Sequence, residues 1–145
     1  MKIKTYKNSK CLGEAAAEYT AEIIKKAIYE NGSARIMMST GASQLDTIEA
    51  LIKTDVDWSK VEIFHLDEYL DLPETHPASF RKYLKERFIS KVELKAAHLV
   101  DNSKDCIPIL SNELRKRPVD VGLIGIGENA HIAFNDPPAD FDTKD

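Results

Sequence analysis

At 145 residues, 43% apolar and 30% charged, the chain is long enough to bury a substantial core and is not the composition of a disordered segment. Its 24 acidic and 20 basic residues leave a net charge of −4 scattered along the chain, so no basic stripe marks a nucleic-acid or membrane-surface binder. Cys11 and Cys106 are too few and too distant for a disulfide framework or a metal cluster, and no apolar run nears the ~18 residues that cross a bilayer. The expectation is a cytoplasmic protein with reduced thiols, no metal, no organic cofactor, and neither nucleic acid nor membrane as partner.

Residues 1–6 alternate apolar and polar side chains, which predicts a short edge strand. Residues 9–30 then carry Leu12, Ala15, Ala16, Tyr19, Ile23, Ala27 and Ile28 at three- and four-residue spacing. This is an amphipathic helix, with Ser9 expected as its cap and Asn31-Gly32 as its left-handed stop. The compact apolar run at residues 34–38 follows after two residues, in the rhythm of a strand entering a parallel sheet.

Next come five small residues, Ser39-Thr40-Gly41-Ala42-Ser43, before a second helical pattern on Leu45, Ile48, Leu51 and Ile52. Ser43 with Asp46 has the spacing of a capping box. A small-residue turn between strand and helix lets backbone N–H groups and hydroxyls approach an anion where the helix dipole also favours negative charge. The same residues serve equally well simply to turn the chain, and no Gly-Lys-Ser/Thr follows to make a P-loop.

Residues 61–66 form the next strand, which ends at Asp67-Glu68-Tyr69. Adjacent carboxylates on extended backbone point to opposite faces, so only one of the pair faces a given ligand; the alternative is that Asp67 or Glu68 simply caps the next segment. A carboxylate there can act as a general base if partial burial raises its pKa. After a loop punctuated by Pro73 and Pro77, Ser79 opens a helix whose stripe of Phe80, Tyr83, Leu84 and Phe88 is assigned to the core. A short strand is expected within residues 95–100. A helix follows within residues 107–117, with Pro108 at or before its start and Pro118 after its end.

The last run, Val119, Val121, Leu123, Ile124 and Ile126, has the apolar continuity of a strand covered on both faces. Gly125 and Gly127 break it, and Glu128, Asn129, His131, Asn135 and Asp136 follow before Pro137-Pro138. A strand opening into a loop so rich in titratable and amide groups is where open α/β sheets place ligands. The full order alternates strands with helices. It predicts a single three-layer α/β domain over residues 1–145, Rossmann-like, with a mainly parallel sheet.

Taken together, Ser39-Thr40-Gly41-Ala42-Ser43, Asp67-Glu68-Tyr69 with His76-Pro77-Ala78-Ser79-Phe80, and His131-Ile132-Ala133-Phe134-Asn135 resemble the glucosamine-6-phosphate deaminase (isomerase) family, whose relatives include the 6-phosphogluconolactonases. The D-E-Y and H-I-A-F-N segments place the likeness on the deaminase side, since lactonases look like D-E-R and D-G-H-T-A-S there. The resemblance implies ring opening of an amino-sugar phosphate, proton transfer from C2 to C1, and loss of ammonia to leave a ketose phosphate. Asp67 resembles the base that carries the C2 proton. His131 resembles the histidine that assists ring opening, a task suited to imidazole with its unperturbed pKa of ~6.5. Residues 39–43 resemble the phosphate-binding turn, and Glu68 and Tyr69 take supporting roles.

The chain departs from the family pattern around the histidine. Asn129 stands where an acid is usual, Ala130 replaces Gly, and Asp136 replaces Glu. Asn129 can accept a hydrogen bond from the imidazole but cannot give an imidazolium a full counter-charge, a task that would fall to Glu128 if the loop turned it inward. A positive φ at residue 130 would cost Ala roughly 1 kcal/mol. The resemblance further implies that the remaining strands and the basic phosphate ligands lie beyond Asp145. Three functions follow as expectations: an isomerase/deaminase of glucosamine 6-phosphate, a lactone hydrolase, and a non-catalytic sugar-phosphate binder. Homo-oligomerisation is left open.

Overall fold

The computed structural model describes residues 2–135. Four parallel strands, β1 (Ala34–Met38), β2 (Val61–His65), β3 (Ala96–His98) and β4 (Val121–Leu123), form one sheet in the order β3-β2-β1-β4. Ala34 pairs with Val61, Glu62 with Ala96, and Ile36 with Val121. Helices α1 (Ser9–Asn31), α2 (Leu45–Leu51), α3 (Phe80–Arg87) and α4 (Cys106–Lys116) connect and cover the strands. This is the α/β architecture with a parallel sheet that the alternating pattern predicts.

Strand periodicity separates the two faces of the sheet. Ala34, Ile36 and Met38 of β1 lie with Val61 and Ile63 of β2 in one buried cluster with Ile24 of α1, Leu51 of α2, and Leu84 and Phe88 of α3. Each large side chain there contributes about 1.5–3 kcal/mol by leaving water. Gly13 lets α1 approach α2 closely, since a Cβ there would stand 2.6 Å from the carbonyl carbon of Asp46. On the opposite face, Arg35 is buried although it sits in an apolar run. Its guanidinium lies 4.4 Å from the Phe64 ring and donates to the carbonyls of Leu114 and Arg117 at the end of α4. Those C-terminal carbonyls carry negative partial charge, and Arg35 docks the helix by meeting them.

Several local expectations are corrected. Residues 2–6 form no strand and lie exposed beside α1, with Lys4 over the Tyr19 ring. The α1 cap is Asn8 rather than Ser9: its side chain accepts from Cys11 N at 2.8 Å, and Gly32 closes the helix at φ 76°. Ser43 makes no capping box, because residues 42–44 turn as a 3₁₀ segment and α2 begins only at Leu45. The last strand is not covered on both faces. β4 is three residues long, at the edge of the described sheet, with Gly122 exposed and Ile126 73% exposed. Among the described residues no helix is long and apolar enough to cross a membrane.

Candidate functional site

The strand order contains the switch point at which open α/β sheets bind ligands. From β1 the chain steps outward through β2 to β3, then returns to the other side of β1 as β4. The turns leaving β1 and β4 therefore diverge and leave a crevice. Backbone bonds hold the crevice together at its base: Ser39 N donates to Leu123 O at 3.0 Å and Leu66 N to Met38 O at 3.1 Å. The buried Ser39 hydroxyl accepts from Gly125 N at 3.0 Å, so it ties the first turn to the last. Above this base lies a cleft of about 260 Å³, shared by the turns after β1, β2 and β4.

The predicted phosphate turn divides in two. Ser39, Thr40 and Ser43 line the cleft, whereas Gly41 and Ala42 are exposed and do not. Gly41 adopts φ 124°, a conformation that favours glycine, and its carbonyl accepts from the Tyr83 hydroxyl at 3.1 Å. The turn is thereby fastened to α3. Gln44, which the motif did not include, is buried just behind it, with its amide about one van der Waals contact from where a Cβ on Gly125 would stand.

Asp67 and Glu68 separate as adjacent residues on extended backbone should. Asp67 lines the cleft, and burial together with the negative charge of Glu68 pushes its pKa up, with His131 partly offsetting the rise. Glu68 turns away into the body of the protein, its side chain only 1% exposed. It accepts from the backbone N–H groups of Tyr69, Phe80 and Arg81, from the Ser79 hydroxyl at 2.9 Å, and from Arg81 Nε at 3.2 Å. Burial alone would raise the Glu68 pKa, but these donors reverse the effect and draw it down to about 2. Glu68 is thus a permanently charged cap on α3, facing away from the cleft.

On the far side stands the loop after β4. His131 lines the cleft, and its Nδ1 bonds to the Asn129 side-chain oxygen. Gly127 is required for this placement, because a Cβ there would fall within the His131 ring. Ala130 and Ala133 adopt φ 66° and φ 54°, so the strain anticipated at residue 130 is present and is repeated three residues later. Glu128 is exposed and does not line the cleft, so it does not take the place of the missing acid beside His131. Asp136 lies outside the described residues.

The sequence reading missed an aromatic wall. Tyr69, Phe80 and Phe134 meet with ring centroids 4.9, 5.0 and 5.9 Å apart, and all three line the cleft. Phe80 belongs to the stripe assigned to the core, but its place in the first turn of α3 puts it above the sheet edge. Tyr69 was legible from its motif; Phe134 was visible only as part of H-I-A-F-N. Among the described residues no three His, Cys, Asp or Glu side chains converge as a metal ion would need. The arrangement instead offers a half-buried carboxylate with a raised pKa, an imidazole, hydroxyls on a turn, and an apolar wall, which suits proton transfer on a small polar molecule with an anionic end.

Residues 7–139 match the profile of glucosamine-6-phosphate isomerases/6-phosphogluconolactonase. The chain is 32% identical over 127 residues to a glucosamine-6-phosphate deaminase of Streptococcus pneumoniae serotype 4, covering 85% of this chain and 54% of that protein. A second, from Streptococcus pneumoniae strain 70585, is 31% identical over the same length. The chain therefore spans about half the length of the curated relatives it matches. The solved structure of a monomeric glucosamine-6-phosphate deaminase superposes with a TM-score of 0.87 at 25% identity, over 99% of this chain and 62% of that one. A 6-phosphogluconolactonase from Shewanella baltica shares the fold, with a TM-score of 0.76 at 22% identity over 89% of this chain and 58% of that one.

Proposed function

Because the chain belongs to the family of glucosamine-6-phosphate isomerases and 6-phosphogluconolactonases, we propose that it carries the proton-transfer half of a glucosamine-6-phosphate deaminase acting in cytoplasmic amino-sugar phosphate metabolism. The observation that carries this reading is the shared cleft. Asp67 sits half-buried in it with a raised pKa, and His131 reaches it from another loop closely enough for its charge to be felt at Asp67. A lactone hydrolase needs an activated water; an aldose-to-ketose conversion needs a base able to hold a proton between two carbons. A half-buried carboxylate with a raised pKa can serve as that base, and the 32% identity to a glucosamine-6-phosphate deaminase favours it over the hydrolase.

In this mechanism His131 moves the O1 proton to the ring oxygen, which opens the hemiacetal to the aldehyde. Asp67 then removes the proton from C2, and the electron pair shifts onto the C1 carbonyl oxygen to give the enolate. Returning a proton to C1 leaves the imine at C2. Water hydrolyses it, releasing ammonia and fructose 6-phosphate. Asn129 holds the Nδ1 side of His131, so the tautomer that donates to Asn129 presents Nε2 as a proton acceptor at the start of the cycle. Thr40 and Ser43, with the backbone N–H groups of their turn, bind the phosphate, while Ser39 keeps the turn fixed against Gly125. Tyr69, Phe80 and Phe134 exclude water from one side. The reading treats residues 1–145 as a single domain, with a sugar phosphate rather than nucleic acid as its partner.

The test is exchange of the C2 proton of glucosamine 6-phosphate in deuterated water, alongside ammonia release. Exchange is expected from the wild-type chain and is expected to fall by roughly 10²–10⁴-fold in Asp67→Asn. Absence of both exchange and ammonia in the wild type sinks the reading, and sugar-phosphate binding without turnover would then mark a binding protein. Hydrolysis of 6-phosphogluconolactone that survives Asp67→Asn would instead mark a lactonase.

A further inference from the structure

Glu68 makes five hydrogen bonds, more than a helix cap requires, and they come from three places. One oxygen takes the N–H groups of Tyr69 and Phe80; the other takes the Ser79 hydroxyl and both the N–H and Nε of Arg81. Arg81 is itself buried, and its Nη2 donates to Leu72 O at 2.8 Å, a carbonyl that Asn102 Nδ2 also meets at 3.2 Å. The pair thus connects the end of β2, the loop of residues 69–79, the start of α3 and the turn before α4. Leu66 and Asp67, which reach the cleft directly after β2, are held between Met38 O on one side and this pair on the other.

We infer that the buried Glu68–Arg81 ion pair is a positioning device for Asp67: it locks the backbone on which Asp67 stands and places beside it the Glu68 charge, only partly compensated by Arg81. Glu68 and Arg81 are positioning residues, acting through Asp67 and not on the sugar. The charges around them form one connected set. Asp67 faces Glu68 behind it and His131 across the cleft. His65 of β2 lies within electrostatic reach of both Glu68 and Arg81, and Asp101 before α4 lies within reach of Arg81. Removing either half of the pair unbalances the charge at Asp67, and the two removals have opposite signs. Without Glu68, the nearest negative charge is gone and Asp67 ionises more readily. Without Arg81, the Glu68 charge is less compensated and Asp67 holds its proton to higher pH.

The bearing on catalysis rests on Asp67 being the base proposed above; the charge relationship does not. Carbon-13 NMR titration of the Asp67 carboxyl in wild type, Glu68→Gln, Arg81→Met and Arg81→Lys separates the two. The midpoint is expected to move down in Glu68→Gln, up in Arg81→Met, and back towards wild type in Arg81→Lys. A purely structural cap would leave the folded variants with the wild-type midpoint, which would overturn the inference. If Glu68→Gln does not fold, the three Arg81 forms decide the matter, and identical midpoints among them overturn it. Where C2 exchange is measurable, Arg81→Met is expected to lose on the order of 10²-fold in kcat with a smaller change in KM. Titration shifts without C2 exchange in any form would sustain the positioning role while rejecting the deaminase reading.

Discussion

The two loops that face each other across the cleft are built in opposite ways. After β2, a buried carboxylate is satisfied by five donors and the chain is held against α3. After β4, the chain leaves a three-residue edge strand, runs exposed through Ile126, and places two alanines in the left-handed region. The first region has few alternatives to its native geometry. The second holds a strained one, maintained by the Gly127 and His131 backbone bond at 2.9 Å and by the Asn129 contact to the imidazole. The base of the proposed reaction thus stands on the heavily bonded side and the imidazole on the strained, more exposed side.

The comparison breaks most decisively at Glu68. Replacing it with Ala leaves Arg81 as an unpaired buried cation and removes the α3 cap, so urea denaturation is expected to show a loss of about 3–5 kcal/mol. An equal loss from Asn129→Ala would show that the two sides do not differ as described. A milder break comes from pH. Glu68 has a depressed pKa, so the stability it contributes is present above its ordinary value of 4.5 and is lost as pH falls through about 2, a contribution on the order of 3 kcal/mol. His65, buried with both ring nitrogens lacking a hydrogen-bond partner among the described residues, is held by desolvation at about 4. Its neutral form is the one the fold accepts, so stability is present above the ordinary 6.5 and falls as pH drops towards 4. Asp67 runs the other way, since its raised pKa makes ionisation unfavourable to folding as pH rises through it. Acid unfolding is therefore expected in two windows, and His65→Leu is expected to flatten the upper one while leaving the lower.

Smaller changes sharpen the strained side. Gly127→Ala must displace the His131 ring, at a cost of about 1–3 kcal/mol, and is expected to shift the imidazole resonances strongly and to raise the Asp67 midpoint slightly, because His131 lowers it across the cleft. An unchanged Asp67 midpoint would show that the two side chains do not face each other across the cleft as described. Ala130→Gly relieves a positive φ and is expected to gain roughly 0.5–1 kcal/mol in thermal or urea unfolding, the smallest effect of the series. A loss there would mean that the alanine methyl contributes packing that outweighs the strain.

Local pattern carried most of the fold. Helix spacing between residues 9 and 30, the apolar run ending at Met38 and the small-residue turns are consequences of near-neighbour chemistry, and the chain alone predicts their type and order. It also separated Asp67 from Glu68 by strand alternation, whereas the positive φ at Ala130 was raised only as a condition, from the glycine that the family resemblance puts there. Arg35 illustrates what was not legible. Nothing in Ala34–Met38 marks that arginine as buried, because its partners are carbonyls about 80 residues away at the end of α4. Arg81 is similar: within α3 it reads as a solvated charge, and only the return of α3 beside the end of β2 makes it the partner of Glu68.

The same division runs through the site. The chain by itself determined which chemistry is available: a carboxylate after one strand, an imidazole after another, and hydroxyls on a turn, each set by residue type and local backbone. Tertiary structure decided which of these share a space. The order β3-β2-β1-β4 brings residues 39, 67 and 131 to one edge, turns Phe80 from core to cleft wall, and leaves Gly41, Ala42 and Glu128 outside. The reason is physical. Residue type and alternation act over a few residues, whereas strand order and the desolvation that shifts Asp67 and His65 depend on segments distant in the chain, and no short-range pattern encodes them.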